Sequence, residues 1–277
     1  MRRFLIFLIL YSSIFKAIGQ DSTKTFNEVY NIKYKVDIPI TVGMFALNIY
    51  GFNRLSQKST LDSLEVLALD QNNVWAFDRH VFSQSHPAPP NTYTISDYGL
   101  WISYLSPALL FIDKKIRKDW LDITILYLET QSINLNIYLW AGPVFTTRVR
   151  PLVYMEDESW DYKLGPETTD SFFSGHVAMA AGASFFIAKV LSDYHPELGS
   201  KKWWLYGGAL IPPAFVGYFR YRGFMHFPTD LLLGLVVGAA VGVSGPQIHK
   251  ISRKLNKDMS FIPFTGRTTG LLFTMKF

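Results

Sequence analysis

The sequence predicts an all-α protein, a polytopic membrane helical bundle of about five to six helices with a short C-terminal tail that resembles a β-hairpin. Composition is the first observation behind this prediction. Of the 277 residues, 49% are hydrophobic and only 18% are charged, against about 25% charged residues in average globular chains. The second is that tryptophan and tyrosine stand at the ends of apolar segments, as in interfacial aromatic belts. A large soluble bundle is the alternative, because several segments are shorter than the roughly 20 residues that cross a membrane.

Six apolar segments follow one another along the chain, and the last two are predicted to form a helical hairpin. They cover residues 36–52, 99–112, 121–145, 177–191, 203–219 and 228–244. Residues 1–19 are predicted to be a signal peptide or an uncleaved N-terminal anchor, because two arginines precede an apolar stretch and a small-residue cleavage pattern ends it. The chain is therefore divided into this leader, an N-terminal segment at 20–98 with one apolar helix and a polar loop region, a helical core at 99–247, and a basic tail with strands at 248–277.

Basic residues cluster in three connecting stretches, at 114–118, 201–202 and 249–257. The positive-inside rule places these stretches in the cytoplasm, so residues 146–176 and 220–227 share the other side of the membrane. The same assignment of sides places the start of segment 36–52 in the cytoplasm, which conflicts with a cleaved signal peptide. Either that peptide is misassigned or the segment does not cross the membrane. The net charge of +5 is modest, so no nucleic-acid partner is expected. The absence of cysteine excludes disulfides and thiolate metal sites.

Two polar residues near the last apolar segment are candidates for nucleophilic chemistry. His226 precedes a helix that Pro228 is predicted to start, and Asp230 lies in the first turn of that helix. A carboxylate beside an imidazole fixes its tautomer and leaves the other nitrogen free to attack. A purely structural contact between the two side chains is the alternative.

A second motif, Ser174-Gly175-His176, directly precedes the apolar segment at 177–191. Serine is a good N-cap, and the free N–H groups of a first helical turn favour an oxyanion. Glycine lets a ligand approach the backbone, and His176 is then placed to protonate a leaving oxygen. An ordinary helix cap with an interfacial histidine is the alternative.

Two arginines complete the set of candidate site residues. Arg150, followed by a proline, and Arg220, at the end of an apolar segment, are candidate phosphate ligands. Guanidinium groups bind phosphate oxygens in pairs and stay charged at neutral pH. Each could instead be an arginine whose charge reaches the membrane interface.

Taken together, the three motifs resemble those of the type 2 phosphatidic acid phosphatase and vanadium haloperoxidase superfamily, in its membrane lipid phosphatase branch. Arg150-Pro151, Ser174-Gly175-His176, and Arg220 with His226 and Asp230 match the three family motifs in order and spacing, over about residues 99–245. Three positions of the family pattern differ, and they hold Pro143 for lysine, Phe173 for proline and Phe219 for serine. Arg148, two residues before Arg150, could supply the missing lysine charge, and so could Arg222.

The resemblance implies an enzyme, a metal-independent phosphatase that acts on a phosphate monoester or diphosphate of a lipid. It implies that His226 forms a phosphohistidine, that His176 protonates the leaving group and that Asp230 orients His226. Arg150, Ser174, Gly175, Arg220 and Arg148 would hold the phosphoryl oxygens. No metal and no cofactor are expected, since the sequence has no His, Asp and Glu cluster at metal-ligand spacing.

The expected partners are a phosphorylated lipid substrate and the lipid bilayer, with no obligate protein partner. The expected location is the inner membrane of a bacterium, in a multi-pass arrangement with the site facing the periplasm. Two other functions stay open: a catalytically decayed protein that binds lipid or phosphate, and a haloperoxidase that holds vanadate in the same site.

Other polar and small residues are predicted to have structural roles. Asp70, Asp78 and Asp97 are expected to cap helices. Small residues at four-residue spacing predict close helix packing, and they are Gly234, Gly238 and Gly242. A set of polar side chains in segment 121–145 is expected to face the bundle interior, namely Asp122, Glu129, Gln131, Asn134 and Asn136.

Overall fold

A computed structural model of the chain describes residues 29–264 and 270–275, with side chains described for residues 29–250. Nine α-helices occur in this part of the chain: α1 (Tyr34–Ser56), α2 (Ser63–Leu67), α3 (Thr92–Leu105), α4 (Trp120–Ala141), α5 (Trp160–Lys163), α6 (Gly175–Tyr194), α7 (Lys202–Gly208), α8 (Ile211–Arg222) and α9 (Pro228–Asp258). Short 3₁₀ helices occupy parts of the connections: Gln71–Asn73, Asp78–Ser83, Ser106–Ile112, Ile116–Asp119, Pro151–Tyr154 and Pro196–Lys201.

The predicted fold class is confirmed. Six helical segments of substantial length are present when α7 and α8 are counted as one, and they form an all-α bundle. The C-terminal tail is an antiparallel hairpin of β1 (Met259–Phe264) and β2 (Gly270–Met275), in which Met259 pairs with Met275. The predicted leader at 1–19 and residues 265–269 of the predicted hairpin lie outside the described residues.

Three helical stretches in the described part of the chain are long and apolar enough to cross a membrane, by length and composition. They are Thr92–Ile112, Gly175–Tyr194 and Pro228–Lys250. On α1, α3 and α9, large apolar side chains face outward, among them Ile49, Ile102, Leu105 and Val236. Such a surface suits contact with lipid, as a membrane bundle requires.

Helices α6 and α9 form the tightest contact in the bundle, and the glycines of α9 make it so. A Cβ atom at Gly238 would lie 2.1 Å from the carbonyl oxygen of Ala178, and one at Gly234 would lie 2.5 Å from that of Ser174. The backbones of the two helices therefore touch directly. The predicted close packing of this glycine stripe is confirmed.

Helix α1 runs the length of the bundle, parallel to α4. At one end the Tyr34 hydroxyl donates to Asp122, and Asn48 donates to the Ser132 carbonyl at 3.2 Å further along. At the other end Lys58, just beyond α1, reaches Asp170 at 2.8 Å. The 23 residues of α1 correspond to about 35 Å at 1.5 Å per residue. Because these contacts bury one face of α4, the predicted inward orientation of its polar side chains is confirmed.

The predicted continuous segment at 203–219 is wrong, because two helices, α7 and α8, replace it. The break falls at Ala209 and Leu210, immediately before Pro212 and Pro213 at the start of α8. Proline lacks the backbone N–H that a continuing helix needs, whereas it is well placed in the first turn of a new one. The broken helix still ends at Arg220, and so brings that residue to the site.

The two ends of the bundle differ in charge. The basic stretches lie together at one end, where Lys115 pairs with Glu197 at 2.8 Å and Lys250 pairs with Asp193 at 2.6 Å. We call this the basic end. The three sequence motifs lie at the opposite end, which we call the motif end.

Candidate active site

A cavity of about 410 Å³ opens at the motif end of the bundle. It brings together five residues from the three motifs: Arg150, Gly175, His176, Arg220 and His226. Its outer walls come from the end of α1, including Phe52 and Leu55, and from the loop at 165–170. The five motif residues, which are up to 76 positions apart in sequence, thus line one cavity, as the motif matches predicted.

His226 lies in the connection between α8 and α9, and its side chain is almost fully buried at 4% exposure. Its Nδ1 atom lies 2.7 Å from the backbone carbonyl oxygen of Ser171. Because a carbonyl oxygen only accepts, Nδ1 carries the proton and Nε2 keeps its lone pair. Burial, together with the nearby positive charges of Arg150 and Arg220, lowers the pKa of His226 well below its ordinary value. The side chain is therefore a neutral imidazole with a free Nε2.

Asp230 does not hold His226 directly, which differs from the sequence-based expectation. Its carboxylate accepts from the Ser171 hydroxyl at 2.6 Å, from the Phe227 amide at 2.9 Å and from Arg148. The carbonyl of Ser171 instead takes the position beside Nδ1 of His226. Asp230 therefore acts on His226 through Ser171, because it fixes the residue whose carbonyl orients the ring.

Arg148 lies behind the cavity rather than in its wall. Its guanidinium bridges Asp230 and Asp78, the latter at 2.6 Å, and stacks over the ring of Phe227 at 4.5 Å. Asp78 in turn accepts from the amide of Thr229 at 2.9 Å, which caps the start of α9. Since its donors are committed to two carboxylates, Arg148 does not fit the predicted role of a phosphate ligand.

Ser174 and Gly175 shape the start of α6. Ser174 is the N-cap of the helix, and its side chain accepts from the amide of Val177, as predicted. Its own amide donates to the backbone carbonyl of Asp230 at 3.1 Å, which ties the starts of α6 and α9 together. A Cβ atom at Gly175 would lie 2.8 Å from the Tyr138 ring. Only glycine therefore fits between that ring and the cavity.

Arg150 and Arg220 are buried guanidinium groups with unused donors. They are 9% and 5% exposed, and the Nε atom of each has no hydrogen-bond partner among the described residues. The nearest carboxylate to Arg150 is Glu167 at 3.8 Å, which is mostly exposed. A buried donor without a partner costs roughly 1–3 kcal/mol. Two such cations facing one cavity therefore favour an anionic ligand.

His176 projects from the first turn of α6, and its Nε2 atom lies 3.1 Å from the Asp97 carboxylate. The Arg220 guanidinium contacts the same carboxylate and the same nitrogen. The prediction that Asp97 caps a helix is wrong, because it lies inside α3 and faces His176. Asp70, by contrast, caps a 3₁₀ helix as predicted, by accepting from the Asn72 amide.

Lys58 is a site residue that the sequence analysis missed. Its ammonium lies among the backbone carbonyls of Pro143, Thr146 and Thr169, at 3.0, 2.7 and 3.1 Å, and it pairs with Asp170. Pro143 occupies the position at which the family motif has its lysine, and Lys58, just beyond the end of α1, places a cation beside it. No spacing in the sequence connects residues 58 and 143, since only the packing of α1 against α4 brings them together.

These features define a buried, cationic, imidazole-containing site in a helical bundle, with the composition expected for binding a phosphate group. The sequence model of the PAP2 superfamily matches residues 130–254, which contain all three motifs. This segment matches the model of that superfamily, which confirms the resemblance drawn from the motifs.

Two solved structures are similar to the chain. One is LpxE from Aquifex aeolicus, at 24% identity and a TM-score of 0.38, with 61% of this chain and 92% of that chain covered. The other is a transmembrane PAP2-type phosphatidylglycerolphosphate phosphatase from Bacillus subtilis, at 21% identity and a TM-score of 0.41, with 80% of this chain and 97% of that chain covered. A search of curated protein sequences finds no match.

Proposed function

We propose that this protein is a membrane phosphatase that hydrolyses a phosphate monoester or diphosphate of a lipid through a phosphohistidine at His226. The observation that carries the proposal is the pair of buried guanidinium groups, Arg150 and Arg220, whose Nε donors have no partner. They line the same cavity as a neutral histidine and a second histidine. The match of residues 130–254 to the PAP2 superfamily model agrees with this chemistry.

In the proposed first step, the lone pair on Nε2 of His226 attacks phosphorus. The bond from phosphorus to the leaving oxygen breaks, and His176 gives its proton to that oxygen. Asp97 supports this role, because its carboxylate lies 3.1 Å from Nε2 of His176 and is placed to accept a hydrogen bond from a proton there. In the second step His176 takes a proton from water, whose oxygen attacks phosphorus. The P–N bond then breaks and returns its electron pair to His226.

The fixed donors of the cavity would stabilise the charge that develops on the phosphoryl oxygens. Arg150 and Arg220 supply guanidinium N–H groups, and the amides at the start of α6, around Gly175, supply the positive end of a helix. Asp230, Arg148 and Asp78 are proposed to position this set rather than to bind phosphate. Lys58 is proposed to hold the loops at 143–146 and 168–170 in place and to supply the cation of the family motif.

A lipid substrate is proposed because the cavity combines phosphate donors with an apolar wall. Phe52 and Leu55 of α1 line it beside the two arginines, and they continue an outward-facing apolar surface of that helix. An acyl or prenyl chain could therefore stay in contact with apolar groups while its phosphate enters the cavity. The protein is therefore proposed to be a multi-pass protein of the membrane that contains its lipid substrate.

The non-cytoplasmic side is proposed for the site because the basic end lies opposite to it. Cytoplasmic connections carry an excess of lysine and arginine, and Lys115 and Lys250 both lie at the basic end. Since α1 runs the length of the bundle, its start at the basic end would be cytoplasmic. The leader would then be an uncleaved anchor rather than a cleaved signal peptide.

The test is hydrolysis by the detergent-purified protein, with chelator and without added metal, of phosphatidate, a polyprenyl diphosphate, lipid A and a soluble aryl phosphate. We expect release of inorganic phosphate from at least one lipid at a higher kcat/KM than from the aryl phosphate. His226→Ala should lose at least about 10³-fold in kcat, since it removes the nucleophile. His195→Ala is the matched control and should retain activity, because His195 is a partly exposed histidine that contacts Asp113 at the basic end.

Substantial turnover by His226→Ala would refute the phosphohistidine mechanism. A wild-type protein that binds these lipids without hydrolysing them would instead support a decayed site. Equal use of the aryl phosphate and the lipids would refute a lipid substrate while leaving the phosphatase chemistry intact.

A further inference from the structure

A second cluster of ionisable side chains lies far from the cavity, toward the basic end of the bundle. Asp37 of α1, Glu129 of α4 and His249 of α9 meet there, and each is at most 9% exposed. One potential ligand atom from each residue lies within 4.8 Å of the other two. Three helices that are remote in sequence thus direct two carboxylates and one imidazole at a common point, which the residue spacing in the sequence did not indicate.

The orientation of His249 suits metal binding. Its Nδ1 atom lies 3.2 Å from the backbone carbonyl oxygen of Asn31. Because that oxygen only accepts, Nδ1 carries the proton, and Nε2, which faces the cluster, presents a lone pair to it when the ring is neutral. Metal-binding histidines are generally held in this way, with the second ring nitrogen bonded to a carbonyl or carboxylate.

The separation of the ligand atoms is also suitable. Nε2 of His249 lies 3.2 Å from Oε2 of Glu129, yet that oxygen has no hydrogen-bond partner in the described part of the chain. The two atoms are therefore close without the alignment of a hydrogen bond. Ligand atoms about 2.0–2.1 Å from a tetrahedral zinc ion stand about 3.3 Å apart, which this pair matches. Asp37 would complete the set with one carboxylate oxygen, which lies within 4.8 Å of the ligand atoms of the other two.

The charge of the cluster gives the physical reason for a cation. Two carboxylates buried next to each other repel in a low-dielectric interior, and an unpartnered buried carboxylate oxygen is costly. A cation placed between them would remove both costs at once. Nitrogen and oxygen ligands together favour a transition metal such as zinc over calcium or magnesium, which prefer oxygen ligands alone.

We propose that Asp37, Glu129 and His249 bind one Zn²⁺ ion that fastens α1, α4 and α9 together at the basic end. Along α9, His249 lies 19 residues from Asp230, which is about 28 Å of helix. The ion is therefore structural and takes no part in phosphate hydrolysis. This inference does not depend on the proposed function.

The experiment measures zinc in the full-length protein, purified in detergent with a tag that contains no histidine. After dialysis against micromolar Zn²⁺ and then against metal-free buffer, we expect about one zinc per chain by elemental analysis. Glu129→Gln and His249→Gln keep similar side-chain volumes and should lower the zinc content at least about tenfold. His195→Gln removes a partly exposed histidine flanked by Asp113 and Glu197, so it controls for adventitious binding near the surface and should retain the zinc.

A second measurement keeps the proposal testable even if the variants fold poorly. Adding Zn²⁺ to chelator-treated wild-type protein should raise its thermal unfolding temperature, because the ion binds only the folded bundle. A wild-type protein that holds no stoichiometric zinc and shows no rise would overturn the proposal. So would zinc that is lost from His195→Gln but kept by Glu129→Gln. Hydrolysis in the presence of chelator reports separately on the phosphatase proposal.

Discussion

Replacing Gly238 by alanine tests the closest helix contact in the protein. An added Cβ would lie 2.1 Å from the carbonyl oxygen of Ala178 and 2.8 Å from Cβ of Ala181. The first distance is about 1.3 Å short of the 3.4 Å at which ordinary contact begins. Because the obstructing atom belongs to the backbone of α6, a side-chain rotation cannot relieve the overlap, and the two helices must move apart.

The expected effect of Gly238→Ala is a net loss of stability. Overpacking of this kind costs about 1–3 kcal/mol, whereas alanine in place of a helical glycine gains up to about 1 kcal/mol. We expect the cost to dominate by about 1–2 kcal/mol, because the overlap is deep and rigid. For a chain of this size, each kcal/mol lowers the unfolding temperature by about 2–4 °C. Activity should fall as well, since α6 carries His176 and α9 follows His226.

Gly43→Ala is the matched control for this prediction. Gly43 lies within α1, and a Cβ there would meet nothing within 4 Å, so the substitution should stabilise the helix by about 0.5–1 kcal/mol. The assay is thermal unfolding of both variants in the same detergent, followed by circular dichroism, together with their phosphatase activity. If Gly238→Ala proved as stable as Gly43→Ala, the direct backbone contact of α6 and α9 would be refuted.

Three further predictions concern charges around the site. Lys58→Met should destabilise the protein by about 3–5 kcal/mol, because it leaves Asp170 buried without its cation, and the Lys58→Met, Asp170→Asn double variant should recover part of that loss in the same unfolding assay. Asp97→Asn should lower kcat more than it changes KM. It should also move the basic limb of the pH–rate profile to lower pH, because the protonated form of His176 loses its carboxylate partner. An unchanged profile would exclude the contact with His176. The pKa of His226 is lowered on folding, so below about pH 6.5 the unfolded state binds a proton that the folded state does not. The free energy of unfolding should therefore be full above about pH 6.5 and fall by up to about 1.4 kcal/mol for each pH unit below it. His226→Gln should lose this part of the pH dependence in unfolding measured from about pH 5 to 7.5.

The sequence predicted the helical class and most of the cavity because those signals are local. Apolar segments of near-membrane length indicate helices wherever they occur, and the spacing within each motif fixes which side chains leave a helix start together. Ser174 as an N-cap and the glycine stripe of α9 are such local features. The five cavity residues of the motifs were predicted for the same reason, since each motif places its side chains at the end of a helix.

The roles of individual charges could not be predicted, because they depend on contacts between remote segments. Arg148 is close to Arg150 in sequence, and this proximity made it a candidate phosphate ligand. The fold instead directs it at Asp78 and Asp230. Alternation along the extended stretch at 148–150 sends neighbouring side chains in different directions, but only the surrounding carboxylates decide which of them faces the cavity.

Sequence alone therefore determined that this is a helical membrane-type protein with a set of candidate phosphate-binding residues at fixed spacings. Tertiary structure decided which cation stands beside Pro143, which carbonyl orients His226 and which carboxylate faces His176. The physical reason is that helix formation follows from the pattern of neighbouring residues, whereas hydrogen bonds and ion pairs between helices depend on their packing. Lys58, Ser171 and Asp97 come from segments outside the three motifs, and packing alone brings them to the site.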